Sequence, residues 1–179
     1  MTLDKLSADG WGFDLIPHPT CHADARVSVH VEQRGSSLHL TYRLSGDLSD
    51  IIIPPPAPPI RTDELWRTTC FELFIQGEGA SYREFNFSPS SAWAAYHFDG
   101  YREGMRVAEQ EKPEVRWSDG ALEVGLPVQL FGNERIGLSA VVELTGGERL
   151  FYALAHPPGV PDFHHRACFA ATLPPMSAK

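Results

Sequence analysis

The chain has 179 residues, of which 42% are hydrophobic and 21% are charged, and this length and composition are typical of one globular domain. Its formal net charge is −8, which disfavours nonspecific nucleic-acid binding because that binding needs Lys and Arg to neutralise phosphates. No segment reaches the roughly 18 apolar residues of a membrane-spanning helix or resembles a signal peptide. With three scattered cysteines that fit free thiols, the sequence predicts a soluble cytoplasmic protein without a membrane partner.

The first third of the chain is predicted to start irregularly and to continue as a β-hairpin. Residues 1–26 carry prolines and several polar residues and are interpreted as an irregular lead-in. Residues 27–33 and 37–44 alternate apolar and polar side chains on either side of a Gly-containing turn, which is typical of two antiparallel strands. The proline run at 54–59 then predicts a surface connection, since proline lacks the N–H that a central strand donates. A docking motif for a proline-recognising partner is the alternative.

The stretch 61–102 holds the most informative pattern of the sequence. Two apolar runs, 69–75 and 82–88, flank a Gly-containing turn, and the second alternates strictly. An antiparallel hairpin of these runs places one set of side chains in the core: Phe71, Leu73, Ile75, Phe85 and Phe87. The other set shares the opposite face: Cys70, Glu72, Phe74, Glu84, Asn86 and Ser88.

The remainder of the chain predicts more short strands of the same kind. They lie at 93–98, 114–117, 121–126, 137–143, 150–153 and 168–172, with one short helical turn at 128–131. Many short strands separated by turn signals indicate an all-β fold, an antiparallel β-sandwich or jelly roll. Since there is no internal repeat and no linker, we expect a single domain over 1–179 that ends in a loose tail at 176–179.

Several motifs carry a resemblance to a known family. They are LIPHP at 15–19, RTDELWRTTCFELFI at 61–75, YREFNFSPSSAWAAYHFDGYREGM at 82–105, GLSAVVE at 137–143, YALAHPPG at 152–159 and PDFHH at 161–165. On these residues the chain resembles the bacterial DOMON-like proteins, single-domain relatives of the family-nine carbohydrate-binding modules. The resemblance implies a jelly-roll-like β-sandwich, and characterised relatives bind sugars, or haem in redox modules. Haem would need an axial Met or His pair in an apolar pocket, and Met105 lies in a charged loop, so no cofactor is predicted.

The polar face of the central hairpin is the predicted ligand site. Glu72 and Glu84 on neighbouring strands repel each other unless a cation, an arginine such as Arg61 or Arg102, or a ligand hydroxyl lies between them. Trp66, on a loop, is suited to stack on a sugar ring. The complete predicted site consists of Arg61, Trp66, Glu72, Glu84, Asn86 and Trp93, with His164 at its rim. A solvated sheet face that binds nothing is the alternative.

The sequence contains only weak signals for metal binding and catalysis. In an extended PDFHH segment, Asp162 and His164 would point the same way, but zinc sites usually need three or four protein ligands, so no metal is predicted. The sequence has no GxSxG and no phosphate-binding loop. We therefore expect non-catalytic binding of a carbohydrate or similar polar small molecule. The alternatives are a protein-interaction domain, and a metal-dependent or carboxylate-based hydrolase that would need titratable groups with perturbed pKa values in one cleft.

Overall fold

A computed structural model of the chain describes residues 4–7, 10–22, 24–108, 111–132 and 134–173. These residues form fourteen β-strands and two single 3₁₀ turns, Leu65–Arg67 and Arg166–Cys168. The strands are β1 Asp4–Ser7, β2 Gly10–Asp14, β3 Ile16–Pro17, β4 Arg26–Arg34, β5 Ser37–Ser45, β6 Cys70–Gln76, β7 Tyr82–Phe87, β8 Trp93–Phe98, β9 Arg106–Val107, β10 Glu114–Ser118, β11 Ala121–Leu126, β12 Arg135–Glu143, β13 Arg149–Ala153 and β14 Ala171–Thr172. The described residues contain no helix with the length and hydrophobicity needed to cross a bilayer.

The strands build two sheets that pack face to face. One has six strands in the order β1-β2-β4-β5-β11-β10, and the other has eight, in the order β3-β13-β12-β6-β7-β8-β9 with β14 also paired to β12. The strand pairs in both sheets are antiparallel. The predicted all-β, sandwich-like fold is therefore confirmed.

The main core lies between the two sheets and follows from the alternation of the sequence. Side chains of β4 and β5 are buried at every second position, as expected for strands with one inward face. From the other sheet, Phe71 enters the core, where its ring lies 5.1 Å from that of Tyr42 and 6.1 Å from that of Trp117. The Tyr42 hydroxyl crosses the sandwich and donates to the carbonyl of Glu72 at 2.8 Å, so this buried hydroxyl is satisfied.

Two local predictions are wrong. The lead-in assigned to 1–26 instead contains β1, β2 and β3; Phe13 of β2 is buried because β2 pairs with β4. The helical turn expected at 128–131 is absent there, because the N–H of Phe131, which such a turn would pair with the carbonyl of Val128, donates to the carboxylate of Glu134 instead. The predicted loose tail at 176–179 lies outside the described residues.

Candidate functional site

The outer face of the eight-stranded sheet is partly covered, and this cover creates the site. After β13 the chain passes over this face and contributes the 3₁₀ turn Arg166–Cys168 and the rings of Phe163 and Phe169. Phe169 stacks on Phe74 of β6, with ring centroids 5.6 Å apart. The result is a second, smaller apolar cluster on the sheet face for which the sequence predicted a polar ligand site.

Gly137 of β12 allows the cover to sit this close to the sheet. A Cβ at this position would lie 2.9 Å from Cδ1 of Phe169 and 3.2 Å from the carbonyl oxygen of Cys168. We expect Gly137→Val to push Phe169 outward and to lower the free energy of unfolding by about 1–3 kcal/mol. Thermal unfolding measures the loss. Gly125→Val in β11 is the control, since there the nearest atom to a Cβ is 3.8 Å away; equal losses in both variants would contradict the explanation.

A cavity of about 990 Å³ opens beside this cover. Its floor is the sheet itself, where Glu72 and Glu84 lie, and its walls are largely aromatic and aliphatic. The residues that line it are Asp63, Glu64, Trp66, Glu72, Glu84, Tyr96, Phe98, Arg102, Met105, Val141, Gly147, Arg149, Phe151, Pro161, Phe163 and His164.

The floor of the cavity is a pair of buried carboxyl groups. Glu72 is 3% exposed and Glu84 is 6% exposed, and the two are diagonal neighbours on adjacent strands because Glu72 pairs with Asn86. Ser139 Oγ donates to Glu72 Oε2 at 2.9 Å, and Asn86 Nδ2 donates to Glu84 Oε1 at 2.8 Å. The second oxygen of each carboxyl accepts no hydrogen bond from the described residues.

The environment of this pair favours protonation. Burial raises the pKa of Glu72 well above the ordinary value, and repulsion from Glu84 raises it further, against the hydrogen bond from Ser139. Burial likewise raises the pKa of Glu84, against the hydrogen bond from Asn86 and the charge of Arg102. Each carboxyl can therefore hold a proton in a range where an exposed glutamate is ionised.

A neutral histidine faces Glu84. The Tyr82 hydroxyl accepts the backbone N–H of Arg102 at 3.2 Å and lies 2.7 Å from His164 Nδ1, so it donates to that nitrogen. The proton of the imidazole is then on Nε2, which lies 3.7 Å from Glu84 Oε2. Burial, with a smaller contribution from Arg102, lowers the pKa of His164 to about 4, so the ring is uncharged at neutral pH.

Two aspartates at or beside the edge of the cavity are paired. Asp162 accepts hydrogen bonds from Arg102 at 2.9 Å and from Tyr101 at 2.6 Å. Asp63 accepts from Arg61 and from the hydroxyl of Tyr96, and these bonds lower the pKa of Asp63. These pairs fix the side chains that frame the opening.

Trp66 lies at the mouth of the cavity. It belongs to the 3₁₀ turn Leu65–Arg67, whose Leu65 is buried and fixes the turn against the protein. The indole is 44% exposed, and the Arg67 guanidinium lies 5.4 Å from the centre of its ring. An exposed ring held by a short turn can stack on a ligand without moving far.

The structure brings most of the predicted site residues together. Trp66, Glu72, Glu84 and His164 line the cavity. Asn86 lies on the same sheet face, opposite Glu72, and donates a hydrogen bond to Glu84. Arg61 pairs with Asp63, and its guanidinium lies 5.3 Å from the ring centre of Tyr96.

Trp93 is the exception among these residues. It is 4% exposed, pairs with Phe87 and packs in the main core, so it cannot stack on a ligand, and that prediction is wrong. The reason is parity: Trp93 and Tyr96 are three residues apart in one strand and therefore leave opposite faces. Phe87 and Trp93 are paired on neighbouring strands and share a face, so the assignment of Phe87 to the core places Trp93 there as well. Only the strand register identifies this pairing.

The weak metal candidates have other contacts. Asp162 is bonded to Arg102 and Tyr101, and His164 to Tyr82. Among the described residues, no group of three or more His, Cys, Asp or Glu side chains could hold a metal ion.

Sequence reasoning missed the walls of the cavity. Phe151 and Phe163 come from β13 and the segment after it, far along the chain from the central hairpin. The sequence has no signal that this segment folds back over the polar face, since its apolar residues would suit the main core equally well.

No family model matches the sequence, and a search of curated proteins finds no match. Among solved structures, the fold is similar to that of a protein from Bacteroides uniformis described as a "putative carbohydrate-binding protein", with a TM-score of 0.64 and 14% sequence identity. The likeness covers 89% of this chain and 83% of the other. At this identity it shows a shared fold, and the membership in the DOMON-like family stays a prediction.

Proposed function

We propose that the protein binds a carbohydrate or a similar polar small molecule in the cavity on the outer face of the eight-stranded sheet, without catalysing a reaction. The observation that carries this proposal is an exposed Trp66 at the mouth of a 990 Å³ cavity whose floor holds Glu72 and Glu84. Stacking rings together with buried hydrogen-bonding groups match the two surfaces of a sugar, its C–H faces and its hydroxyl edge.

The size and chemistry of the cavity support a small organic ligand. Sites for drug-sized molecules have volumes of about 300–1,000 Å³, mostly apolar walls and a few polar groups that set orientation. Here Glu72 and Glu84 line the cavity and each has one carboxyl oxygen without a hydrogen bond from the described residues, while Phe98 and Phe163 form apolar wall. The fold shared with the Bacteroides protein agrees with a binding role.

Trp66→Ala is expected to weaken sugar binding by about thirtyfold, or about 2 kcal/mol, since it removes the exposed stacking ring. The measurement is the rise in melting temperature with a panel of sugars, followed by calorimetric titration of any sugar that raises it. Phe131→Ala is the matched control, because Phe131 is also an exposed aromatic residue, at 70%, and does not line the cavity. A sugar that binds both variants equally well would contradict the stacking role. The absence of a shift with every sugar would favour the protein-interaction alternative.

A carboxylate-based hydrolase is a second candidate, and one observation favours it. Glu72, Glu84 and His164 have pKa values displaced from the ordinary range and converge on one cavity, as acid–base groups of an active site do. Release of nitrophenol from a panel of nitrophenyl glycosides tests it. Turnover that Glu84→Gln abolishes, while Glu123→Gln on the opposite sheet retains it, would establish an enzyme; no turnover would leave the binding role.

A further inference from the structure

We propose that the floor of this cavity is a site for an organic cation and that its ligand is a sugar carrying a protonated amine. This inference rests on the proposed function, which it narrows from carbohydrates in general to amino sugars. Glu72 and Glu84 both line this cavity, each on a side chain more than nine-tenths buried and each with one carboxyl oxygen that accepts no hydrogen bond from the described residues.

An ammonium group matches the unfilled hydrogen-bond acceptors of the floor. Ser139 and Asn86 each bond one oxygen of a carboxyl, and the second oxygens of Glu72 and Glu84, two residues that line the cavity, accept no hydrogen bond from the described residues. The second oxygen of Glu84 lies 3.7 Å from His164 Nε2. An ammonium group donates up to three hydrogen bonds, so it can bond both open oxygens and still bear the sugar ring. It also removes the repulsion between two carboxylates that otherwise has to be relieved by a proton.

The walls suit a cation as well. Aromatic rings attract a positive charge through their electron-rich faces, and the attraction grows when water is excluded. Trp66, Tyr96, Phe98, Phe151 and Phe163 line the cavity around the two carboxyl groups. Rings combined with buried carboxylates distinguish this site from one built for a neutral sugar, which needs no buried charge.

The surrounding charges leave room for one more positive charge. The titratable and charged groups near the pair are Tyr82, Tyr96, Cys70, His164, Arg102, Asp162, Asp63, Glu64 and Arg149. Arg102 is paired with Asp162, and Asp63 with Arg61. His164 is uncharged at neutral pH, and Arg149 lies opposite Glu143 at the start of β13. Arg102 acts on both carboxyls, but its salt bridge to Asp162 offsets its charge, so the floor keeps a net negative charge once the pair ionises.

Calorimetric titration of the full chain with glucosamine, glucose and N-acetylglucosamine tests the inference. These probes share one ring and differ in the charge at one position. At pH 7 we expect glucosamine to bind at least about tenfold more tightly than either neutral sugar. Protons compete with the ammonium group for the carboxyls, so we expect affinity to fall by more than about tenfold between pH 7 and pH 5. Repeating the titration in two buffers of different ionisation enthalpy should show proton release on binding.

The double variant Glu72→Gln/Glu84→Gln should lose the preference for glucosamine, whereas Glu123→Gln on the opposite sheet should keep it. If the double variant does not fold, the pH dependence and proton release of the natural protein decide the matter. Glucose or N-acetylglucosamine binding as tightly as glucosamine would overturn the cation site and leave the proposed function intact. Cyclohexylamine is a fourth probe, a ring that carries the ammonium group but no hydroxyls. If it binds while no sugar binds, the amino-sugar assignment and the carbohydrate function are both overturned. If no probe binds, both proposals are overturned.

Discussion

Glu72→Gln/Glu84→Gln is expected to make the protein more stable at alkaline pH, by about 1–3 kcal/mol at pH 8, although it removes two buried polar acids. In the natural protein these carboxyls must either ionise where solvent is scarce or keep protons that the unfolded chain has released. Glutamine accepts the same hydrogen bond from Ser139 at position 72 and can accept from Asn86 at position 84, and it carries no charge.

The direction follows from the protons bound in each state. The pKa values of Glu72 and Glu84 are raised in the folded protein. Their contribution to the stability of the fold is therefore fully present below the ordinary pKa of 4.5, and it is lost as pH rises through the raised values. The pKa of His164 is lowered from 6.5 to about 4, so its contribution grows with pH between those two values. Between pH 4.5 and pH 6.5 these two changes in stability have opposite signs. Above pH 6.5, of these three groups, only the two carboxyls still change the stability, and they lower it.

Urea unfolding of the natural protein and the double variant at pH 5 and pH 8 measures this difference. We expect the variant to gain stability at pH 8 and to gain little or none at pH 5. Glu123→Gln is the control, because Glu123 is an exposed residue that pairs with Arg116 on the other sheet. If the stability of the natural protein does not change between pH 6.5 and pH 9, the raised pKa values of Glu72 and Glu84 are wrong.

Phe71→Ala is expected to lower the free energy of unfolding by about 3–5 kcal/mol, since it empties a fully buried position between the two sheets. Phe74, three residues along the same strand, faces the other way and is 1% exposed beneath Phe169. We expect Phe74→Ala to cost less, because the cover can collapse toward the sheet more easily than two sheets can approach each other. It should weaken ligand binding, because the His164 ring packs against Phe74 at 5.3 Å.

Denaturant midpoints and ligand titrations of the two alanine variants separate these roles. The folded fraction of Phe71→Ala should bind the ligand with unchanged affinity, while Phe74→Ala should lose affinity. Equal losses of stability with equal affinity would show that the second cluster does not shape the cavity.

The main core was predictable from local alternation. Residues 27–33 and 37–44 alternate because one face of an antiparallel strand meets the core and the other meets solvent, and the structure pairs them as β4 and β5. The N-terminal strands escaped prediction because Pro17 and the glycines of β2 are poor strand formers in isolation, and pairing with longer neighbours stabilises them.

The candidate site was predictable only in part. Strand parity alone placed Glu72, Glu84 and Asn86 on one face, and the loop position of Trp66 favoured its exposure. Parity could not tell that Trp93 faces inward, since that depends on the partner that the register assigns to it. It also could not tell whether the polar face meets water.

The sequence by itself determined an antiparallel β-sandwich, the inward phenylalanines of the central hairpin and the carboxyl pair on their far side, because periodicity of two is a local property of the backbone. Only the tertiary structure decided that Phe163, His164 and Phe169 return from beyond residue 153 to cover that far side. Such a contact depends on the path of the whole chain, and no local pattern specifies it. This cover buries Glu72 and Glu84, raises their pKa values and makes the sheet face one wall of a cavity.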